Sequence, residues 1–203
     1  MNLQEMQGNI NQIFTAMGVK TFLVFVQPTK STIAAAVGLK LNEMVTTLGL
    51  NPPAVGGYIY VNEKFLNKGF TDVEIRFILA HECAHIFNNH VVATLFWNLF
   101  EKALKGEKNE NYQLIEIIKI GFVLMAKSHL PPNAETLRDQ EYEADRIAVS
   151  ITGDLASAVS CLSKLVNNNM NAPSHVWELF DKAIPAMKMG ERIESLRRNA
   201  QFV

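Results

Sequence analysis

The chain has little cysteine and no excess of charge of either sign. Only two of its 203 residues are cysteine, Cys83 and Cys161, which argues against a disulfide framework and favours buried, reduced thiols in a cytoplasmic protein. Nineteen Lys and Arg residues balance twenty Asp and Glu residues, for a net charge of -1. A chain so nearly balanced shows no electrostatic footprint for nucleic acid, so we expect no nucleic-acid partner.

Signals for secretion and for membrane insertion are also missing. The N-terminal stretch MNLQEMQGNINQ has neither the basic nor the apolar region of a secretory signal. The most apolar stretches, 91–100 and 114–126, are shorter than the roughly 20 residues that cross a bilayer. The second stretch also contains Glu116 and Lys119. We expect both to form core helices of a soluble protein, with a membrane-dipping hairpin as the alternative.

Length and residue pattern predict one α+β domain, mainly helical, with a small β-sheet. Apolar residues make up 48% of the chain, and this is enough for a substantial core. Residues 1–50 are expected to contain an N-terminal helix and strand, and 51–203 the functional core. Strands are predicted at 20–28 and 58–62, with a loop at 51–57. Helices are predicted at 3–17, 31–48, 71–104, 112–128, 135–152, 154–166 and 174–199.

The stretch FILAHECAHIFNNH, residues 77–90, carries the most specific chemical pattern. His81 and His85 are four residues apart, so a helix presents both imidazoles on one face. Glu82 follows the first histidine and lies where a general base can hold a metal-bound water. Thr71 and Glu74 have the spacing of a capping box that starts this helix. The alternative is an ordinary buried helix that happens to contain histidine.

A catalytic zinc ion needs a third protein ligand. Asn88 and Val91 occupy the positions where the metzincin pattern requires glycine and histidine, which excludes that class. Glu141 and Asp145 are four apart in LRDQEYEADRIAV, so Glu141 is a candidate ligand and Asp145 a candidate hydrogen-bond partner for a ligand histidine. A charged, solvated helix face is the alternative, and Glu143 is a competing ligand on spacing alone. The remaining histidines are weaker candidates: His90, His129 and His175.

The segments HECAHIFNNH and RDQEYEAD together resemble one family of zinc peptidases. These are the gluzincins that include the HtpX-type heat-shock peptidases and the type I CAAX prenyl proteases. That family has a HExxH helix with a further histidine five residues on, followed later by an Arg-x-x-Glu-x-x-Ala-Asp motif. The matching positions are His81, Glu82, His85, His90, Arg138, Glu141, Ala144 and Asp145. GGYIYVNEKFL (56–66) and DLASAVSCLSKL (154–165) are also similar, so the resemblance extends over about 56–198.

The resemblance implies a zincin-like fold and a zinc-dependent endopeptidase that acts on peptides or unfolded proteins. One zinc ion per chain would be bound by His81, His85 and Glu141, with Glu82 as the general base. Asp145 would accept a hydrogen bond from a ligand histidine and so hold its orientation. The strand at 58–62 would form a rim along which an extended substrate pairs, through Tyr58, Ile59 and Tyr60.

Two features depart from the family pattern. Glu191-Arg192-Ile193 is present, but Ile184 stands near where a histidine is expected. Arg192 is therefore a candidate for stabilising an oxyanion, with a surface arginine as the alternative. The family's usual transmembrane helices are missing, and 112–126 is apolar nearly all round. We expect that segment to contribute to a homodimer interface or to a peripheral membrane contact.

Two rival interpretations follow from the sequence. One is a catalytically silent, zinc-binding regulatory or interaction module derived from a peptidase, which the altered segment around Ile184 favours. The other is a structural helical protein without metal, in which both motifs are accidental.

Overall fold

A computed structural model of the chain describes residues 1–29, 34–40, 55–90, 134–167 and 189–199. These residues are mainly helical, with one three-stranded sheet, and are compatible with the predicted α+β class. The strands are β1 (Phe22–Pro28), β2 (Ala34–Lys40) and β3 (Val55–Val61). The helices are α1 (Leu3–Ala16), α2 (Glu63–Gly69), α3 (Asp72–Phe87), α4 (Ala134–Thr152), α5 (Leu155–Asn167) and α6 (Met189–Asn199).

Most predicted elements in these ranges are confirmed to within a few residues. The structure confirms α1, β1, α4 and α5, and α6 falls within the predicted helical region 174–199. The short helix α2 was not predicted. The apolar segments 91–100 and 112–126, together with His129 and His175, lie outside the described residues.

The helix predicted for 31–48 is wrong where the structure describes it. Ala34–Lys40 is a strand, β2, which pairs antiparallel with β3 over seven residues. Alanine favours helix in isolation, but pairing with a neighbouring strand and burial of Ala36 override that preference here. β3 likewise begins at Val55, inside the predicted loop, because its glycines take part in the pairing.

The strand order is β1-β3-β2, so β3 lies in the middle of the sheet. It pairs parallel with β1 and antiparallel with β2 from Val55 to Val61. This order contradicts the predicted pairing of substrate along Tyr58, Ile59 and Tyr60, because neither edge of β3 is open to another strand.

Helix α3 is the central element of the fold. The side chain of Thr71 caps the backbone N–H of Glu74, and the Glu74 carboxylate accepts a hydrogen bond from the Thr71 N–H, which completes the predicted capping box. α3 packs against β2 and β3, and α1, α4 and α5 also contact it. Its buried residues therefore extend around the helix instead of forming one stripe.

The predicted continuation of this helix to about residue 104 is wrong at Phe87, where α3 ends. Asn88 is the cap, and Asn89 adopts a left-handed conformation with φ 59°, which asparagine tolerates better than most residues. The Asn89 side chain accepts a hydrogen bond from the Lys40 N–H at 2.6 Å and donates one to the Lys40 carbonyl at 3.1 Å. The end of α3 is thus attached to the end of β2.

We expect Gly38→Ala to lower the free energy of unfolding by about 1–3 kcal/mol, the usual cost of overpacking. A Cβ atom at Gly38 would lie 2.7 Å from the Gly56 carbonyl oxygen and 2.8 Å from Cγ2 of Ile86 on α3. Urea unfolding measures the change. Gly8→Ala in α1 is the control, because nothing lies within 4 Å of its Cβ position, and it should stabilise by about 0.5–1 kcal/mol. Equal stability of Gly38→Ala and the unaltered chain would contradict the tight packing of β2 on α3.

Candidate metal centre

Helices α3 and α4 bring three predicted ligands together. His81 and His85 lie on α3, one turn apart, and Glu141 lies on the facing side of α4. The two Nε2 atoms are 3.0 Å apart. Glu141 places Oε2 3.4 Å from Nε2 of His81 and Oε1 3.3 Å from Nε2 of His85. Both histidines are buried, and the Glu141 side chain is 16% exposed.

The spacing of these atoms fits a zinc ion. Two atoms bound to one tetrahedral zinc ion at about 2.0–2.1 Å lie about 3.3 Å from each other. The two Nε2 atoms are 3.0 Å apart, and each lies 3.3 or 3.4 Å from a different oxygen of Glu141, so that one ligand atom from each residue lies within 4.8 Å of the others. Two imidazoles and one carboxylate are also a usual donor set for catalytic zinc, with the fourth position left open.

Asp145 lies behind His81, as its spacing from Glu141 predicts. Its Oδ1 is 2.9 Å from Nδ1 of His81, and the carboxylate is 1% exposed. A carboxylate at Nδ1 holds the proton on that nitrogen, so the Nε2 lone pair faces Glu141 and His85. His81 is therefore oriented for metal binding through Nε2.

Arg192 on α6 is buried, so the alternative of a surface arginine is wrong. Its Nε and Nη2 donate to the two oxygens of Asp145 at 2.7 and 2.5 Å. Nη1 lies 3.0 Å from Oε2 of Glu141. The guanidinium thus bridges the carboxylates of Glu141 and Asp145. Its predicted role at an oxyanion stays a prediction, because all three nitrogens contact protein carboxylates in this arrangement.

These contacts shift the pKa values of His81 and Glu141. Burial alone would lower the pKa of His81, but hydrogen bonds with Asp145 and Glu141 outweigh it and raise that pKa to about 10. Burial would raise the pKa of Glu141, yet the nearby His85 and Arg192 hold it well below its usual value. The carboxylates of this group thus favour a positive charge between them, and a bound cation would supply it.

Glu82 is half-buried beside the two histidines. Burial raises its pKa above the usual value for glutamate, against the opposing effect of His81 and His85. A glutamate with a raised pKa next to a metal position is suited to accept and return a proton. Cys83, the next residue, is fully buried with a raised pKa, and neither cysteine forms a disulfide. The predicted burial of both thiols is confirmed.

Glu143 does not join the ligand group. Its Oε2 lies 3.2 Å from Nε2 of His90, and His90 in turn contacts His85 through the two Nδ1 atoms at 3.0 Å. Sequence spacing alone presented Glu143 as a competing ligand and His90 as a weaker candidate for the metal. The turn at Asn89 brings His90 back to His85, and sequence spacing alone does not predict this contact.

Comparison with known families relates the chain to a family of peptidases. A model of the family described as Peptidase family M48 matches residues 47–199, which include every residue of the group above. Comparisons with curated proteins and with solved structures give no match. None of the helices that the structure describes combines the length and apolar character that a membrane crossing requires.

Proposed function

Because the chain belongs to peptidase family M48, we propose that it is a zinc-dependent endopeptidase of the gluzincin type with a zincin-like fold. The observation that carries the proposal is the group formed by His81, His85 and Glu141, with Glu82 beside it. The proposed substrates are peptides or unfolded proteins.

The proposed mechanism assigns a separate role to each side chain. Two imidazole Nε2 atoms and the Glu141 carboxylate would hold one zinc ion. When bound, zinc supplies Lewis acidity for the scissile carbonyl and a water of lowered pKa. Glu82 accepts the proton of the attacking water and delivers it to the leaving amine. Asp145 and Arg192 keep His81 and Glu141 in the geometry that binds the ion.

We propose the edge of β2, instead of β3, as the strand along which substrate pairs. In an antiparallel pair, residues alternate between bonding the partner strand and facing away from it. The backbone N–H and carbonyl of Lys40 bond to the side chain of Asn89 and so face away from β3. Because the direction repeats every second residue, the backbone N–H and carbonyl groups of Gly38 and Ala36 face away from β3 as well. No described strand pairs with that edge, and β2 packs on the helix that carries His81. We propose that an extended peptide adds to this edge through backbone hydrogen bonds.

The other predictions remain part of this proposal. A single domain is supported by the pairing of β1 with β3 in one sheet and by the contact between α1 and α3. A cytoplasmic location is supported by the two free cysteines. The homodimer or peripheral membrane contact rests on 112–126, outside the described residues. The presence of Glu82 beside the two histidines favours the peptidase over a catalytically silent module, and the ligand group favours it over a protein without metal.

Zinc dependence tests the proposal. After removal of metal with a chelator, the chain should bind one zinc ion, and cleavage of an unfolded protein should disappear and return with zinc. In a crystal, anomalous scattering at the zinc edge should give one peak among His81, His85 and Glu141. Chelator saturated with zinc beforehand is the control and should leave cleavage unchanged. A chain that binds no zinc, or that cleaves equally well after chelation, would refute the proposal.

A further inference from the structure

The two histidines of the metal group are supported in different ways. Nδ1 of His81 faces Asp145, a buried carboxylate bridged to Arg192. Nδ1 of His85 faces another imidazole, that of His90, at 3.0 Å. His90 is itself 7% exposed, so this contact lies inside the protein and not in solvent.

The position of His90 is set by the turn that ends α3. Asn89 adopts the left-handed conformation, with φ 59°, and its side chain is bonded to the backbone of Lys40 on β2. This reversal returns His90 toward His85 on the last turn of α3, with the ring centroids 5.1 Å apart. Two hydrogen bonds to the neighbouring strand therefore hold the imidazole in place.

A hydrogen bond between two neutral imidazoles requires one donor and one acceptor. If Nε2 of His85 binds zinc, the proton of the His85 ring is on Nδ1. The Nδ1–H of His85 then donates a hydrogen bond to Nδ1 of His90. His90 then carries its own proton on Nε2, which faces Oε2 of Glu143 at 3.2 Å. Each contact thus determines the tautomer of the next ring, from the half-exposed Glu143 to the ligand.

We propose that His90 and Glu143 are positioning residues that hold His85 in the tautomer that binds zinc through Nε2. They act on His85 as Asp145 acts on His81. This inference rests on the proposed function, because it concerns the same zinc site. It assigns a role to Glu143, which spacing presents only as a competing ligand, and to a histidine that does not touch the ion.

Zinc affinity measured by competition with a chromophoric chelator tests the proposal. His90→Leu removes the acceptor at similar volume and should weaken zinc binding by about 10–100-fold, the usual effect of losing such a partner. His90→Asn is the conservative variant, because its amide oxygen falls near the position of Nδ1, and it should recover most of the affinity. Glu143→Ala should weaken binding less than His90→Leu. Asp139→Ala, an exposed carboxylate on the same helix, is the control and should change nothing.

The position of the proton on His85 can also be measured directly. In the zinc-loaded chain, nitrogen-edited NMR should show a slowly exchanging proton on Nδ1 of His85, and His90→Leu should speed its exchange. Zinc affinity unchanged in both His90→Leu and Glu143→Ala would overturn the proposal. Equal loss in His90→Leu and His90→Asn would also overturn it, because packing alone would then explain the effect. An unaltered chain that binds no zinc would refute the proposed function and this inference with it.

Discussion

Glu82→Gln is expected to lower kcat/KM for peptide hydrolysis by about 10²–10⁴-fold, the usual contribution of a general base. Glutamine has the same size as glutamate but cannot accept the proton of the attacking water. Zinc binding should persist, because the proposed ligands His81, His85 and Glu141 are unchanged. Single-turnover cleavage of a fluorogenic peptide and zinc content measured on the same sample give both quantities.

The control for this variant is Glu135→Gln, which makes the same chemical change at an exposed position of α4. It should cleave the peptide like the unaltered chain. If Glu82→Gln keeps full activity, another group removes the proton, and the proposed mechanism is wrong. If it loses zinc together with activity, the residue contributes to binding and the assignment as base is not supported.

Arg192→Met should lower the free energy of unfolding by about 3–5 kcal/mol, because it leaves buried charge without a partner. The guanidinium makes two hydrogen bonds to Asp145 and an ion pair with Glu141, and its side chain is 8% exposed. Methionine keeps much of the packing volume but neutralises neither carboxylate. Urea unfolding of the metal-free chain measures the loss without a contribution from zinc.

Arg197→Met on the same helix is the matched control. Arg197 pairs with Glu194 at 3.0 Å, but both side chains are more than half exposed, so this change should cost less than about 1 kcal/mol. Arg192→Lys should fall between the two, because lysine keeps the charge but lacks the planar fork. Equal destabilisation by Arg192→Met and Arg197→Met would contradict the bridging role of the buried guanidinium.

The ligand group was predictable because its pattern is local. Four-residue spacing places His81 with His85, and Glu141 with Asp145, as soon as both segments are helical. The capping box at Thr71 is equally local and confirms where α3 begins. Periodicity therefore located two helix faces, and the chemistry of the side chains indicated that they face each other.

The errors arise where distant parts of the chain decide the structure. Ala34–Lys40 becomes a strand because β3 pairs with it, which no local preference indicates. β3 looked suitable as a rim, yet its central position depends on the order of all three strands. Arg192 lies 47 residues beyond Asp145, and only the folded contacts distinguish a buried bridge from a surface charge.

The bridge made by Arg192 also has a consequence for the order in which the chain is synthesised. The ribosome releases the N-terminal side first, so all three ligands emerge before α6 does. Until α6 docks, Asp145 and Glu141 have no guanidinium between them. A nascent chain therefore completes the contacts of Arg192 with Asp145 and Glu141 only after α6 has left the ribosome.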